Sequence, residues 1–165
     1  MYSCACLVIP EARLAVWGPI MARMNRNIAV WLINLLDIKL NDTVLEIGFG
    51  PGIAIGQMAD LGLGRQICGI DYSPKMLQQA TARNMEAIKS GRVDLRFGSV
   101  EHLPFRDNTF DKVFAINSMQ VWPDIPASLR EVWRVMKSAE GSAGLYALFR
   151  TCKGRPARAT SGRLF

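Results

Sequence analysis

The chain has 165 residues, 50% of them apolar, with 20 basic and 14 acidic side chains for a formal charge of +6. That length and apolar content suit one globular domain with a sizeable core, and no apolar run reaches the ~18 residues needed to cross a bilayer. Of the 20 basic residues, five (Arg150, Lys153, Arg155, Arg158, Arg163) lie in residues 150–165, which hold no acid, leaving 15 basic against 14 acidic over residues 1–149. The basicity therefore belongs to a tail, rich in Gly, Ala, Arg and Ser and without apolar periodicity. It reads as a disordered, solvated end rather than a nucleic-acid-binding arm.

In chain order, Cys4 to Pro10 is a short apolar patch with no basic residue before it. That is not the pattern of a signal peptide, and a cytoplasmic location is expected. Trp17, Met21, Met24, Ile28, Trp31 and Leu35 recur at steps of three and four. The spacing predicts a helix over 14–36 with Gly18-Pro19 interrupting its first turn and that stripe against the core. Asn41-Asp42 is a turn into a first strand, Thr43–Ile47. A helix follows from Ile53 to Leu61, ended by Gly62 to Gly64. Gln66 to Ile70 is a second strand ending at Asp71. Ser73 then has the chemistry of an N-cap and Pro74 that of a first helical residue, opening a helix that runs to about Ser90 and stops at Gly91. Val93–Phe97 and Phe110–Ile116 read as strands three and four. Pro123-Asp124 precedes a helix to about Lys137 with Leu129, Val132, Trp133 and Met136 as its inner face. Ala143 to Phe149 is a candidate fifth strand. The four cysteines (Cys4, Cys6, Cys68, Cys152) form no C-x-x-C pair, so no metal site is expected, and Cys68 reads as a reduced core residue.

Strand and helix alternate along the whole body. That pattern implies right-handed βαβ crossovers and a parallel sheet covered on both faces, with ligands beyond the carboxyl ends of the strands. Three glycines at alternate positions, in EIGFGPG at 46–52, stand at one such end. Glycine is entropically costly in ordered structure. The cluster therefore serves either a tight turn or the close approach of a ligand to the main chain. Asp71, at the end of the neighbouring strand, is placed either to cap the next helix or to accept hydrogen bonds from ribose hydroxyls. A dinucleotide-binding G-x-G-x-x-G would need its third glycine at the position of Ile53, so that fingerprint fails.

The spacing that fits is E-x-G-x-G-x-G. Together with VLEIGFGPG, the stretches GIDYSPKML, FGSVEHLPFRDNTFDKVFAIN and SLREVWRVMK make the chain resemble the class I S-adenosylmethionine-dependent methyltransferases of the methyltransferase type 11 group. The resemblance covers roughly Asn25 to Trp133. It implies a Rossmann-like, doubly wound α/β sandwich of three layers with strand order 3-2-1-4-5. It also implies S-adenosyl-L-methionine as cofactor and a small-molecule or lipid-like methyl acceptor. Glu46 and the backbone through Gly48, Phe49, Gly50 and Gly52 would receive the methionine moiety, and Asp71 the ribose hydroxyls. Tyr72 and Met76 would flank the adenine. Ser99 and Val100 stand where the family has an acid and a small residue near the adenine amino group, so that contact should be weaker here. Asn117 would face the cofactor amino group and the methyl-transfer path. The N-terminal helix, with Trp17, Met21 and Met24, would lie over the pocket as a lid. Trp122 either lines the acceptor pocket or only packs. His102, the sole histidine, reads as a surface residue, and no catalytic residue is identified.

Lys137 to Gly141 replaces the family's lysine-proline-glycine-glycine turn, and 16 residues follow Phe149. The expectation is a methyltransferase domain over 1–149 lacking the family's terminal antiparallel hairpin, with strand five an exposed edge open to self-association. Two readings of function follow. One is methyl transfer; the other is a cofactor-binding remnant without turnover, acting through a partner. A nicotinamide enzyme is a distant third.

Overall fold

The computed structural model describes residues 28–137 and the backbone of 144–148. A helix, α1, covers residues 28–36 of this span. It is followed by β1 (Thr43–Ile47), α2 (Ile53–Asp60), β2 (Gln66–Asp71), α3 (Pro74–Arg83), α4 (Met85–Lys89), β3 (Val93–Phe97) and β4 (Lys112–Ile116). A 3₁₀ turn at Met119–Val121, α5 (Ile125–Val135) and β5 (Gly144–Leu148) complete the described elements. The five strands form one sheet in the order β3-β2-β1-β4-β5, and every adjacent pair is parallel. The expected strand order is therefore the observed one.

Strands β1, β2 and β4 are covered on both faces, and alternation along β1 to β4 assigns their buried side chains to two cores. Val44, Ile67, Val93 and Phe114 pack with Leu32, Leu36, Ile55 and Met58 under α1 and α2. Leu45, Ile47, Cys68, Ile70, Val113 and Ala115 pack on the opposite face with Val132, Val135, Met136 and Trp122. All five residues of β1 are buried, as befits the central strand, whereas β3 becomes exposed toward Phe97. Two helix starts follow the sequence chemistry: Ser73 Oγ accepts from Met76 N–H, and Asp124 Oδ1 from Ala127 N–H.

Four details depart from the sequence reading. The face of α1 that packs inward carries Ala29, Leu32, Ile33 and Leu36, while Trp31 and Leu35 are exposed. The helix expected from Pro74 to Ser90 is broken at Asn84 (φ −107°, ψ 21°). That side chain is buried and turns back, its Nδ2 donating to the carbonyls of Ala80 and Gly52. The inner face of α5 is Ser128, Val132 and Val135, with Trp133 exposed. Ser128 is tolerated there because its hydroxyl donates to Asp124 O at 2.6 Å. Finally, Phe110 stands outside β4, joined to Met136 by an isolated bridge. The lid residues Trp17, Met21 and Met24 and the tail at 150–165 lie outside the described residues.

Candidate functional site

The carboxyl ends of β1, β2 and β4 meet at a cleft of about 330 Å³, within the range of small-molecule sites. Ile47 and Gly48 line it from β1, Ile70, Asp71 and Tyr72 from β2, and Gly98, Ser99 and Val100 from the end of β3. Ser118, Val121, Trp122 and Pro123 close the side beyond β4. A groove of about 610 Å³ lies elsewhere, between α2 and the α3–α4 bend. Helix residues and the Asn84 bend alone line that groove, with no strand end or glycine turn, so the smaller cleft is the candidate site.

The turn between β1 and α2 explains why glycine recurs in it. Gly48, Gly50 and Gly52 all have positive φ (73°, 52° and 71°). Beyond φ, their surroundings differ. A Cβ on Gly48 would stand 2.4 Å from Ser118 Cβ, and one on Gly52 would stand 2.6 Å from Asn84 Nδ2 and 2.8 Å from Ala80 Cβ. Packing within the protein forbids both. A Cβ on Gly50 would meet nothing within 4 Å. Of the three, only Gly50 has open space at its Cβ position, while Gly48 is the one that lines the cleft.

Asp71 is 6% exposed and joins the two strand ends. Its Oδ2 accepts from Gly50 N–H at 2.8 Å and its Oδ1 from Ser73 N–H at 2.9 Å. It thus makes a short turn ahead of Ser73, the N-cap of α3, and also fixes the glycine turn, and each oxygen keeps lone-pair capacity. Capping of the next helix, one of the two uses weighed for it, falls to Ser73 instead. Glu46 is 3% exposed, and its Oε2 has no hydrogen-bond partner among the described residues. Burial, reinforced by the nearby Asp71 carboxylate, pushes the Glu46 carboxyl well above the usual range. Helix α2 starts at Ile53 with Gly52 as N-cap and no side-chain cap, leaving its first amides for another acceptor.

The other residues singled out from sequence divide in two. Tyr72, Ser99 and Val100 line the cleft; Tyr72 is largely exposed and Val100 nearly buried. Ser99 Oγ donates to Glu101 Oε2 and accepts from Glu101 N–H, both at 3.3 Å. Phe49 is buried, its ring lying in the space a side chain at Gly69 would fill. Only its backbone is thereby available to the turn. Met76 is half-buried and Asn117 lies just past β4; neither lines the cleft, and nor do Glu46, Phe49, Gly50 and Gly52, which stand in the adjoining β1 end and turn. Asn117 has φ +52°, an uncommon conformation outside glycine of the kind that clusters at functional sites. His102 is exposed. Trp122 both packs in the second core and lines the cleft.

Sequence reasoning missed Ser118, whose buried hydroxyl donates to Ile47 O at 2.7 Å and whose Cβ makes Gly48 obligatory. It also missed Arg83 and Asn84, which donate to the carbonyls of Pro51 and Gly52 from the far side of the turn. The one available signal was an Asn placed mid-helix, a residue that competes for backbone partners. Among the described residues there is no cluster of three metal-ligating side chains, and no helix is long and apolar enough to cross a membrane.

The buried unpartnered carboxylate, the open Gly50 and the uncapped α2 fit a zwitterionic amino-acid moiety, and Asp71 fits a diol. Residues 45–140, more than half the chain, match the family described as "Methyltransferase domain". The uncharacterized methyltransferase YdaC of Bacillus subtilis is 36% identical over 120 residues, covering 73% of this chain and 64% of that protein. A demethylmenaquinone methyltransferase of Lactiplantibacillus plantarum is 36% identical over 103 residues, covering 62% of this chain and 44% of the relative. The chain thus spans less than two thirds of these relatives' length. A solved SAM-dependent methyltransferase from Aquifex aeolicus shares the fold at TM-score 0.63 and 21% identity, over 89% of this chain and 73% of that one. With its sheet order, its glycine turn and the match over 45–140, the chain belongs to the methyltransferase domain family, on the Rossmann-like fold of the class I S-adenosylmethionine-dependent enzymes.

Proposed function

We propose that the protein binds S-adenosyl-L-methionine in the cleft at the ends of β1, β2 and β4 and transfers its methyl group to a small-molecule or lipid-like acceptor. The observation that carries this reading is the pairing of Gly50, open on its Cβ side, with the carboxylate of Asp71, which holds it in place from the neighbouring strand. Glu46 and the first amides of α2 would take the ammonium and carboxylate of the methionine moiety, charges of opposite sign matched by an acid and a helix N-terminus. The spare lone pairs of Asp71 would accept the ribose hydroxyls. Tyr72, Val100 and Ser99 would border the adenine, with Met76 behind them, and Asn117 would face the transfer path.

The cofactor supplies an electrophilic methyl group with a good leaving group already attached. The chain's own task is then to hold the acceptor nucleophile in line with that methyl group and keep water out, which explains why no catalytic base stands out. The apolar side of the cleft, Val121, Trp122 and Pro123, suits an apolar acceptor. The quinone named in the Lactiplantibacillus relative is of that kind.

Calorimetry with S-adenosylhomocysteine tests the cofactor site. Gly50→Ala should leave the protein folded, at a cost of about 1–2 kcal/mol for the left-handed backbone, yet abolish binding because its methyl would enter the space this reading assigns to the ligand. Asp71→Ala should weaken binding by roughly one to two orders of magnitude, as expected for lost hydrogen bonds to a charged acceptor of about 1.5–3 kcal/mol. A folded protein that binds no S-adenosylhomocysteine, or a Gly50→Ala variant that binds it unchanged, would overturn the reading.

A further inference from the structure

Glu46 occupies an unusual place for a carboxylic acid. In the sheet it lies between Gly69 of β2 and Phe114 of β4, in a row continued by Leu95 of β3. Side chains paired in this way share a face, and this is the face under α1 and α2. The Phe49 ring lies over Gly69. The carboxyl is thus walled by apolar groups, is 3% exposed, and has an oxygen without a hydrogen-bond partner. Among the described residues the charged group that faces it is Asp71, also an acid, and no cation compensates it.

An ionised carboxylate in such a place costs several kcal/mol of desolvation, and a protein avoids that cost by keeping the group neutral. The same surroundings make it a strong partner for a cation that arrives already desolvated, because attraction rises as the local dielectric falls. We propose that Glu46 is a proton-linked receptor for the ammonium group of the cofactor, neutral in the cofactor-free protein and ionised in the complex. On binding, the Glu46 O–H bond breaks, its proton leaves to bulk water, and the carboxylate pairs with the ligand's –NH₃⁺. Neither oxidation nor a second reactant is involved. The upward push that burial gives this acid is consistent with the geometry. The inference rests on the cofactor reading above and adds to it a pH dependence of affinity that the fold itself builds in.

The sign is fixed by linkage. One proton leaves per ligand bound, so affinity for S-adenosylhomocysteine rises about tenfold per pH unit while Glu46 is neutral in the free protein. In the free protein the folded state holds a proton that the unfolded chain releases near the usual carboxylate range. Glu46 therefore lowers stability progressively as pH rises above that range. Glu46→Gln removes this effect and mimics the neutral acid, so the variant should fold, melt higher than the parent, and gain more over it as pH rises.

The experiment is calorimetric titration with S-adenosylhomocysteine in buffers of different ionisation enthalpy, between about pH 5.5 and 7, below the roughly 7.7–8.0 at which an α-amino group is half deprotonated. The expected result is release of about one proton per ligand and an affinity that climbs with pH. Glu46→Gln should bind more weakly, without proton release and without the climb. Infrared difference spectra of the parent protein should lose a neutral-carboxyl band on binding, a readout that needs no variant. No proton release and pH-independent affinity in the parent would overturn the inference while leaving the cofactor site standing. So would release that persists in Glu46→Gln. Absence of binding at every pH would instead fail the cofactor reading on which the inference rests.

Discussion

Gly48→Ala should be among the most damaging single-methyl additions in the described fold. Two costs combine. The residue has φ +73°, a left-handed conformation that disfavours L side chains by about 1–2 kcal/mol. Its Cβ would also stand 2.4 Å from Ser118 Cβ and 2.7 Å from Ser118 Oγ. Rotating χ1 of Ser118 does not move Cβ, and its hydroxyl is held by Ile47 O at 2.7 Å. Relief must therefore come from the backbone, at the ~1–3 kcal/mol typical of overpacking. The total is roughly 2–5 kcal/mol, a large share of the ~5–15 kcal/mol that stabilises a domain. Urea unfolding of Gly48→Ala, Ser118→Gly and the double variant separates the two costs. Ser118→Gly alone loses a hydrogen bond of about 0.5–1.5 kcal/mol. In the double variant the clash disappears while the backbone strain and the lost hydrogen bond remain, so the pair should be less destabilised than the sum by about 1–3 kcal/mol. Additivity within about 0.5 kcal/mol would refute the reasoning, showing that backbone conformation alone makes the position glycine.

Asn84→Ala should destabilise by about 1–3 kcal/mol, since the carbonyls of Gly52 and Ala80 lose a shared donor in a buried setting; unchanged urea midpoints would count against that account. Glu131 accepts from the Arg134 guanidinium, which holds its carboxyl down at about 2. Its contribution is thus fully present above the usual carboxylate range and lost as pH falls toward that value. Glu131→Gln should cost about 1–2 kcal/mol at neutral pH after allowance for solvent screening, and the difference from the parent should vanish in an acid titration between roughly pH 4.5 and 2. Cys68 is buried, and burial pushes its thiol up to about 12. In mass-spectrometric mapping with a thiol reagent at neutral pH, the Cys68 peptide should stay unlabelled until denaturant is added; labelling in native buffer would contradict its place in the core.

The fold was legible because its signals are redundant. Strand, glycine turn, strand-end acid and capped helix recur in an order that few topologies accommodate, and the sheet order follows. The helix faces were less legible, for a definite reason. In WLINLL, at 31–36, apolar residues occupy more than one face, so a stripe through Trp31 and Leu35 fits the helical period as well as the buried one through Leu32 and Leu36. Periodicity gives the spacing of a stripe but not, in so apolar a segment, its phase. In α5 the misreading came from the opposite side: Ser128 looks like a surface residue until its hydroxyl is seen bonded to Asp124 O. The bend at Asn84 has only a weak local signal, the Asn itself with its bond to Ala80 O. Its other partner, Gly52, is 32 residues away.

That contact changes what the glycine motif means. Read as a string, E-x-G-x-G-x-G invites one explanation for all three glycines, the approach of a ligand. In the fold a side chain at either outer position would meet the protein: Gly48, which also lines the cleft, makes room for Ser118 from the end of β4, and Gly52 for Asn84 and Ala80 from the α3–α4 segment. Those neighbours also bond to the turn, Ser118 at Ile47 O and Asn84 at Gly52 O, with Arg83 at Pro51 O. The turn is thus held at both ends by side chains that could not come so close to any residue but glycine. Its middle residue is fixed by Asp71, leaving one bare stretch of main chain facing outward. A site built this way needs little rearrangement to receive a ligand, which is where preorganisation gains affinity. It also means that a lesion at Ser118 or Asn84, neither of which resembles a cofactor residue in sequence, should act on binding through the shape of the turn.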